Sequence, residues 1–510
     1  MGRPSPAVLQ KYWDRIWKSP GQEVLSADKS IYRLYFHPLN KFPGPKLAAI
    51  THGYEFYFDA IKDGKFFVEL ERMHEQYGPI VRINPRELHI KDSSAFDKIY
   101  IQRRQEKDKY MVNMFTSPRS SAATIDHDLH RSRRELVNPF FSKKAVMGLE
   151  YQVQEKVDKV SSHLITAHSA GTVVSMDGIF AALTADVISH YTYGHSMGIL
   201  DTKDLRNDFR ETVAGAGALA HYTRMFPIVA ASLEIMPGFI EWMQPSTKGL
   251  FDTKRWLLRM IGTHINGDGD EKPGAQKTIF DSLLDKAVPP AERTSKRVCD
   301  ESLTVLAAGT ETTARVLSIG CFHLYRDPAM LYKLREELRK VMPEPTTKVS
   351  WAQLEQLPYL TAVVNESLRL SHSVLIRVPR VSPTAAWEYG DYTIPPGTPV
   401  SQLMYFVHTD PTIFPNPDEF VPERWIEAAN KGDRLTKYLV PFTKGPRICL
   451  GLNLAYSEMY QMFASLVRRF DLEIHNTTPE SIRITRDVMI GLPDSDKLEV
   501  HSLVKNVIRA

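Results

Sequence analysis

Cysteine is scarce in this 510-residue chain: Cys299, Cys321 and Cys449 are the only three. They form no C-x-x-C pair and cannot all be joined to one another, which excludes a disulfide-built scaffold and fits a reducing compartment. Charge of one sign is lacking as well. Sixty-four basic residues stand against sixty acidic ones, a formal charge of +4, too small for the overall field to imply a nucleic-acid partner. No window holds the roughly 18 nearly uncharged apolar residues that a spanning helix needs. The start, Met1-Gly-Arg-Pro, has neither the basic flank nor the apolar core of a secretory signal. Repeats, low-complexity tracts and long Gly/Ser linkers are also missing, so nothing marks an internal boundary. What is present is 43% apolar and 10% aromatic residues, the make-up of a globular chain with a large core. This reading expects a lead over residues 1–30 without a transmembrane helix, then one large domain over residues 31–510.

Prolines in Ile31–Pro38 and Phe42–Pro45 fix φ and predict an irregular hinge. From about Glu150 onward a helical period dominates, over Tyr151–His168, Lys203–Ala218, Thr253–Ile265 and Ala291–His323. Strand-like runs are short: Ile80–Ile83, Leu88–Ile90 and Ala386–Ile394, bounded by Pro, Asp or Gly. The expected class is mainly α with small β-sheets. Pro289 and Pro290 are read as opening the last of those helices. Its middle, Ala307-Ala308-Gly309-Thr310-Glu311-Thr312-Thr313, places a glycine, threonines and a carboxylate in an apolar stretch, and polar atoms buried mid-helix need a reason.

Near the C-terminus, Pro441 to Gly451 precedes a helix-forming run, Leu452–Leu466. A cysteine before a helix N-terminus gains from the positive dipole end, which favours thiolate. Gly445 and Gly451 permit tight turns and close approach of backbone to a flat ligand; Phe442 can shield one side of it and Arg447 can pair with a carboxylate on it. A lone cysteine is more often a buried structural thiol, and only its neighbours reverse that. The pattern Phe442-x-x-Gly445-x-Arg447-x-Cys449-x-Gly451 fixes five residue types, a chance match of roughly one in several thousand for a chain this long.

That pattern resembles the cytochrome P-450 haem-binding signature, and the resemblance runs from about Ile31 to Leu492. It implies one mainly helical catalytic domain that holds haem b, with Cys449 as axial ligand of the iron and Phe442, Gly445 and Arg447 around it. Glu366-x-x-Arg369 shares one helix face. Glu336-x-x-Arg339 has the same spacing and reads as an ordinary surface pair, but only the first is followed at the family's distance by Pro422-Glu423-Arg424-Trp425. Glu366, Arg369 and Arg424 thus resemble the family's structural triad. Thr312 and Glu311 match its proton-delivery pair. His130-x-x-x-Arg134 matches the family's Trp-x-x-x-Arg with histidine in place of tryptophan; Arg134, His130, Arg380 and Arg447 are the implied propionate partners, guanidinium meeting carboxylate as a fork. Where many relatives have a proline pair after Arg369, this chain has Leu370-Ser371-His372-Ser373.

The implied activity is a monooxygenase that hydroxylates or epoxidises an apolar small molecule, a terpenoid or other secondary metabolite by likeness to filamentous-fungal members. It uses dioxygen and electrons that come from NADPH indirectly, through a separate flavoprotein reductase. Arg131, Arg133, Lys143, Lys144 and Lys444 are candidates for the reductase face. The implied pocket comprises Met111, Met114 and Phe115; Ala307 and Ala308; Val374, Leu375 and Ile376; and Met489 and Ile490. Two rivals are weighed: a haem-thiolate isomerase or dehydratase that needs no reductase, and a haem-binding protein without turnover. The acid–threonine pair argues against both. Apolar runs within His221–Met243, with Tyr32, Leu34, Tyr35 and Phe36, suggest peripheral membrane contact, placed by the resemblance at the cytosolic face of the endoplasmic reticulum.

Overall fold

A computed structural model describes residues 26–508 apart from 103, 244–246, 266–277 and 496; most of the expected lead lies outside the described residues. The architecture is mainly helical with small sheets. Its axis is the helix Ser295–Arg326, 32 residues capped by Thr294, whose side chain accepts from the Arg297 N–H. At 1.5 Å per residue it spans about 48 Å. Both ends of this helix are packed against other helices, and two glycines decide how closely. A Cβ at Gly309 would lie 2.7 Å from Ile188 Cγ1, and one at Gly320 would collide with Phe463 and Ser367. Side chains of Met176–Tyr193, Pro358–Ser371 and Leu452–Arg469 therefore reach the backbone of this helix at the two glycines. The largest apolar cluster lies among these helices, with Leu303, Leu306, Leu317 and Phe322 at most 2% exposed.

Beside this bundle is a five-stranded sheet in the order Ile80–Arg82, Leu88–Ile90, Pro399–Ser401, Arg380–Val381, Glu106–Lys107. One pair, Leu88–Ile90 with Pro399–Ser401, is parallel. The last pair sets Lys107 opposite Arg380. Near the C-terminus the hairpin Arg486–Val488/Ile490–Leu492 turns about Met489, whose φ is +73°.

Four expectations are corrected. Ile31–Pro38 is largely helical, Ala27–Ile31 running into a wider turn at Tyr32–Phe36, because no proline falls before Pro38 to stop it. Pro290–Glu292 forms only a short 3-10 turn, and Thr294 rather than the prolines starts the long helix. The helix expected from Lys203 begins at Asp208, capped by Asn207, since Leu205 takes a left-handed φ of +52°. Ala386–Ile394 is two strands, Trp387–Tyr389 and Tyr392–Ile394, folded on each other.

Candidate functional site

The Cys449 loop is closed by its own backbone: the Cys449 N–H donates to the Phe442 carbonyl at 2.9 Å, and Gly445–Arg447 makes a 3-10 turn. Gly445 has a φ of +73°, and a Cβ there would strike the Tyr100 carbonyl. Its role in the fold is thus to let the loop lie on the Tyr100 backbone; the side chain it lacks would meet protein, not a ligand. Phe442 packs tilted on Tyr456 at 5.5 Å. Cys449 is an exposed residue, yet its thiol sits deep among protein atoms. Burial pushes its thiol up, against the Gly451 N–H and the Arg134 charge, which pull it down. Desolvation among the protein's own groups is the largest of these influences.

Around this loop four cations converge. Arg447 donates to the carbonyls of Thr124 at 2.7 Å and Ile125 at 2.8 Å. Arg380 donates to the Val378 carbonyl at 3.0 Å and lies over the Tyr100 ring. Arg134 donates to the Ile448 carbonyl at 2.8 Å, next to Cys449. Lys107, which sequence reasoning missed, reaches the Ala122 carbonyl and sits 5.1 Å from the Phe115 ring centre. Among the described residues none of the four pairs with a carboxylate, and Arg380 Nε and Arg447 Nε are buried without a partner. Desolvation, then the neighbouring Arg380, pulls Arg447 down to about 9; desolvation with Arg380, Arg447 and Arg134 pulls Lys107 well below its usual range. His130 is buried against the same cluster and brought to about 3, by burial first and then by Arg447 and Arg134, so it is neutral at physiological pH. Buried positive charge without a counter-charge is costly. The arrangement suits a group carrying carboxylates.

Glu311 and Thr312 lie on the axial helix but point differently. Thr312 Oγ1 donates to the Ala308 carbonyl one turn back, at 2.9 Å. Glu311 is clasped by Arg210 of the roof helix Asp208–Met225, with Nε donating at 2.8 Å, and Arg210 Nη1 also donates to Asp177 at 2.7 Å. Arg210 is a second residue missed from sequence, 101 positions away from its partner.

Both residues border a cavity of about 310 Å³ lined mostly by apolar side chains. Of the expected pocket residues, Met111, Met114, Phe115, Ala307, Ala308, Val374, Ile376, Met489 and Ile490 line it. Leu375 does not. It is 1% exposed and packs with Phe66, Leu70 and Phe406 on the other side, because in an extended segment neighbouring side chains face opposite ways.

With this geometry in view, residues 43–499 match the family model described as cytochrome P-450. The chain belongs to the cytochrome P-450 family. Its relatives include the cytochrome P-450 monooxygenase aflU of Aspergillus parasiticus, 43% identical over 93% of this chain and 95% of that protein. The cytochrome P-450 monooxygenase TRI4 of Trichoderma arundinaceum is 43% identical over 91% and 90%, and a conidiogenone synthase of Penicillium rubens 41% identical over 91% and 93%. A crystal structure of a cytochrome P-450 superposes with a TM-score of 0.69 at 18% identity, covering 86% of this chain and 95% of that one, a likeness of fold. This protein is a cytochrome P-450 monooxygenase.

The haem that such enzymes carry ends in two carboxylates, and the cation cluster with its unpartnered Arg380 and Arg447 nitrogens fits them. Behind it, the Glu366 carboxylate accepts from Arg369 Nη2 at 2.7 Å, Arg424 Nε at 3.1 Å, Trp425 Nε1 at 2.9 Å and the Val421 N–H at 2.9 Å. Most of the basic residues considered for a reductase face are already paired: Arg131 with Glu135, Arg133 with Glu292, Lys143 with Glu355 and Lys444 with Asp97. Each such pair weakens the net field that a partner would sense. Among the described residues no helix is long and apolar enough to cross a membrane.

Proposed function

We propose that this cytochrome P-450 inserts one oxygen atom into a terpenoid or similarly apolar small molecule, with Cys449 as the axial thiolate of haem b. The carrying observation is a cluster of four cations, none of them ion-paired among the described residues, beside an apolar cavity. Bound haem would supply oxygen activation at an iron whose thiolate ligand favours O–O cleavage. Arg134, Arg380, Arg447 and Lys107 would neutralise its carboxylates, with His130 as a neutral neighbour. Thr312 and Glu311 would move protons, Glu311 being held ready by Arg210. The cavity walls would orient the substrate by shape and exclude water. Glu366, Arg369 and Arg424 would fix the segment leading to the Cys449 loop. Residues 31–510 would act as one catalytic domain. The relatives' names and the apolar lining support the substrate class.

The test is Cys449→Ser. The wild-type protein is expected to give the thiolate-type reduced carbon monoxide band and the variant to lose it while staying folded; a normal band in the variant refutes the ligand assignment.

Electrons would come from NADPH through a separate flavoprotein reductase. Peripheral attachment at the cytosolic face of the endoplasmic reticulum is supported by apolar side chains left in solvent: Trp242 is 76% exposed, Phe36 71% and Tyr35 63%. Short apolar surfaces give weak, reversible membrane binding. Alkaline carbonate should therefore release the protein from a membrane fraction, and retention in the pellet would refute peripheral attachment.

A further inference from the structure

An apolar cavity cannot orient a hydrocarbon by hydrogen bonds, so the carbon presented for oxidation is chosen by where the walls stand relative to the oxygen-activating residues. Three wall segments meet near Thr312: the axial helix itself, the segment Ser373–Ile376, and the hairpin Arg486–Leu492. Their mutual positions are set by polar contacts outside the cavity. Ser373 Oγ lies 3.1 Å from the Thr312 carbonyl and 3.0 Å from Ser371 Oγ; a carbonyl only accepts, so Ser373 supplies the hydrogen toward Thr312 and its contact with Ser371 draws on the Ser371 hydroxyl. Two residues on, the Leu375 N–H donates to the Met489 carbonyl at 3.2 Å, and Met489 holds its left-handed turn with its N–H on Asp487 Oδ1 at 2.9 Å. The hairpin returns to the helix where Arg315 Nη2 donates to the Gly491 carbonyl, three residues beyond Thr312. Gly491 has no room for a side chain: a Cβ would lie 3.0 Å from the His372 carbonyl and 2.6 Å from Ile484 Cγ2. The contacts close on themselves, running Thr312, Ser373, Leu375, Met489, Gly491, Arg315 and back along the helix.

We propose that Ser373 and Arg315, which do not line the cavity, are specificity-determining positioning residues that hold Val374, Ile376, Met489 and Ile490 in fixed places relative to Thr312 through this ring. The side chain of Arg315 is 1% exposed, with Nε and Nη1 unpartnered. It faces Glu311 and Asp177, which attract it, and Arg210, which repels it. A buried guanidinium in this place costs stability, and its hydrogen bond fixes the hairpin to the helix.

The inference rests on the haem assignment above, which the carbon monoxide band of the wild-type protein reads separately. The haem-loaded protein is titrated with imidazole, 1-phenylimidazole and 4-phenylimidazole, whose nitrogen binds iron while the phenyl group meets the walls from two directions. A rigid wall should separate the two phenyl isomers by about tenfold or more. Ser373→Ala should shrink that ratio about fivefold, the worth of one hydrogen bond, leaving imidazole unchanged. Ser373→Thr, which keeps the hydroxyl, should restore it, and Arg315→Met should shrink it as Ser373→Ala does. The proposal is overturned if the ratio survives in Ser373→Ala, if imidazole affinity falls equally, or if the wild-type protein does not separate the isomers.

Discussion

Glu366 and Glu336 carry the same local motif, an arginine three residues on along a helix, and burial gives the two pairs very different weight in the fold. Glu366 and Arg369 are both fully buried. Arg369 is also bonded to the carbonyls of His408 at 2.9 Å and Glu419 at 2.8 Å, so it cannot swing into water when its partner is lost. Glu366→Ala would leave that guanidinium uncompensated and strip Arg424, Trp425 and the Val421 N–H of their acceptor. Breaking such a buried pair costs about 3–5 kcal/mol, against a total stability of roughly 5–15 kcal/mol. Glu336 and Arg339 are 41% and 51% exposed, and Glu336→Ala should cost about 0.5 kcal/mol or less. Parallel urea titrations of the haem-loaded variants, followed by the Soret band and by far-ultraviolet circular dichroism, make the comparison. Glu366→Ala is expected to lose haem and fold at much lower urea, or to give no haem-loaded protein, whereas Glu336→Ala should overlay the wild type. Equal, small shifts for both would refute the argument that desolvation gives the triad its weight.

Two further outcomes follow from the site and the core. Thr312→Ala should keep its haem spectrum but release electrons as peroxide or water instead of product, seen as NADPH consumed per product formed; unchanged coupling would remove Thr312 from proton delivery. His323, stacked on Phe420 at 4.7 Å, is lowered to about 4 by burial, then Arg326 and Arg369. Above pH 6.5 it is neutral folded or unfolded; as pH falls from about 6.5 toward 4 only the unfolded chain takes the proton, so stability is lost across that window, by up to about 3 kcal/mol. His323→Phe should flatten the acid side of the stability–pH curve there, and an unaltered curve would refute the assignment.

The cysteine loop was legible in the sequence because its determinants are contiguous: glycines, arginine and cysteine at fixed spacing build a turn whose hydrogen bond, Cys449 to Phe442, spans seven residues. The mainly helical class and the helix Glu150–Ala170, expected over Tyr151–His168, were legible for the same reason, since the helical period is local. Where a single backbone feature interrupts the period, as Leu205 does with its positive φ, hydrophobicity alone misplaces the helix. Tertiary structure decided what depends on desolvation and on distant pairing. It buried Glu366 and Arg369 completely while leaving Glu336 and Arg339 in solvent, set Lys107 beside Arg380 through a strand pairing across the chain, brought Arg210 onto Glu311, and turned Leu375 away from the cavity while Val374 and Ile376 face it. A charge's effect is set by the dielectric and the partners around it, and those come largely from residues tens to hundreds of positions away, which no local pattern encodes.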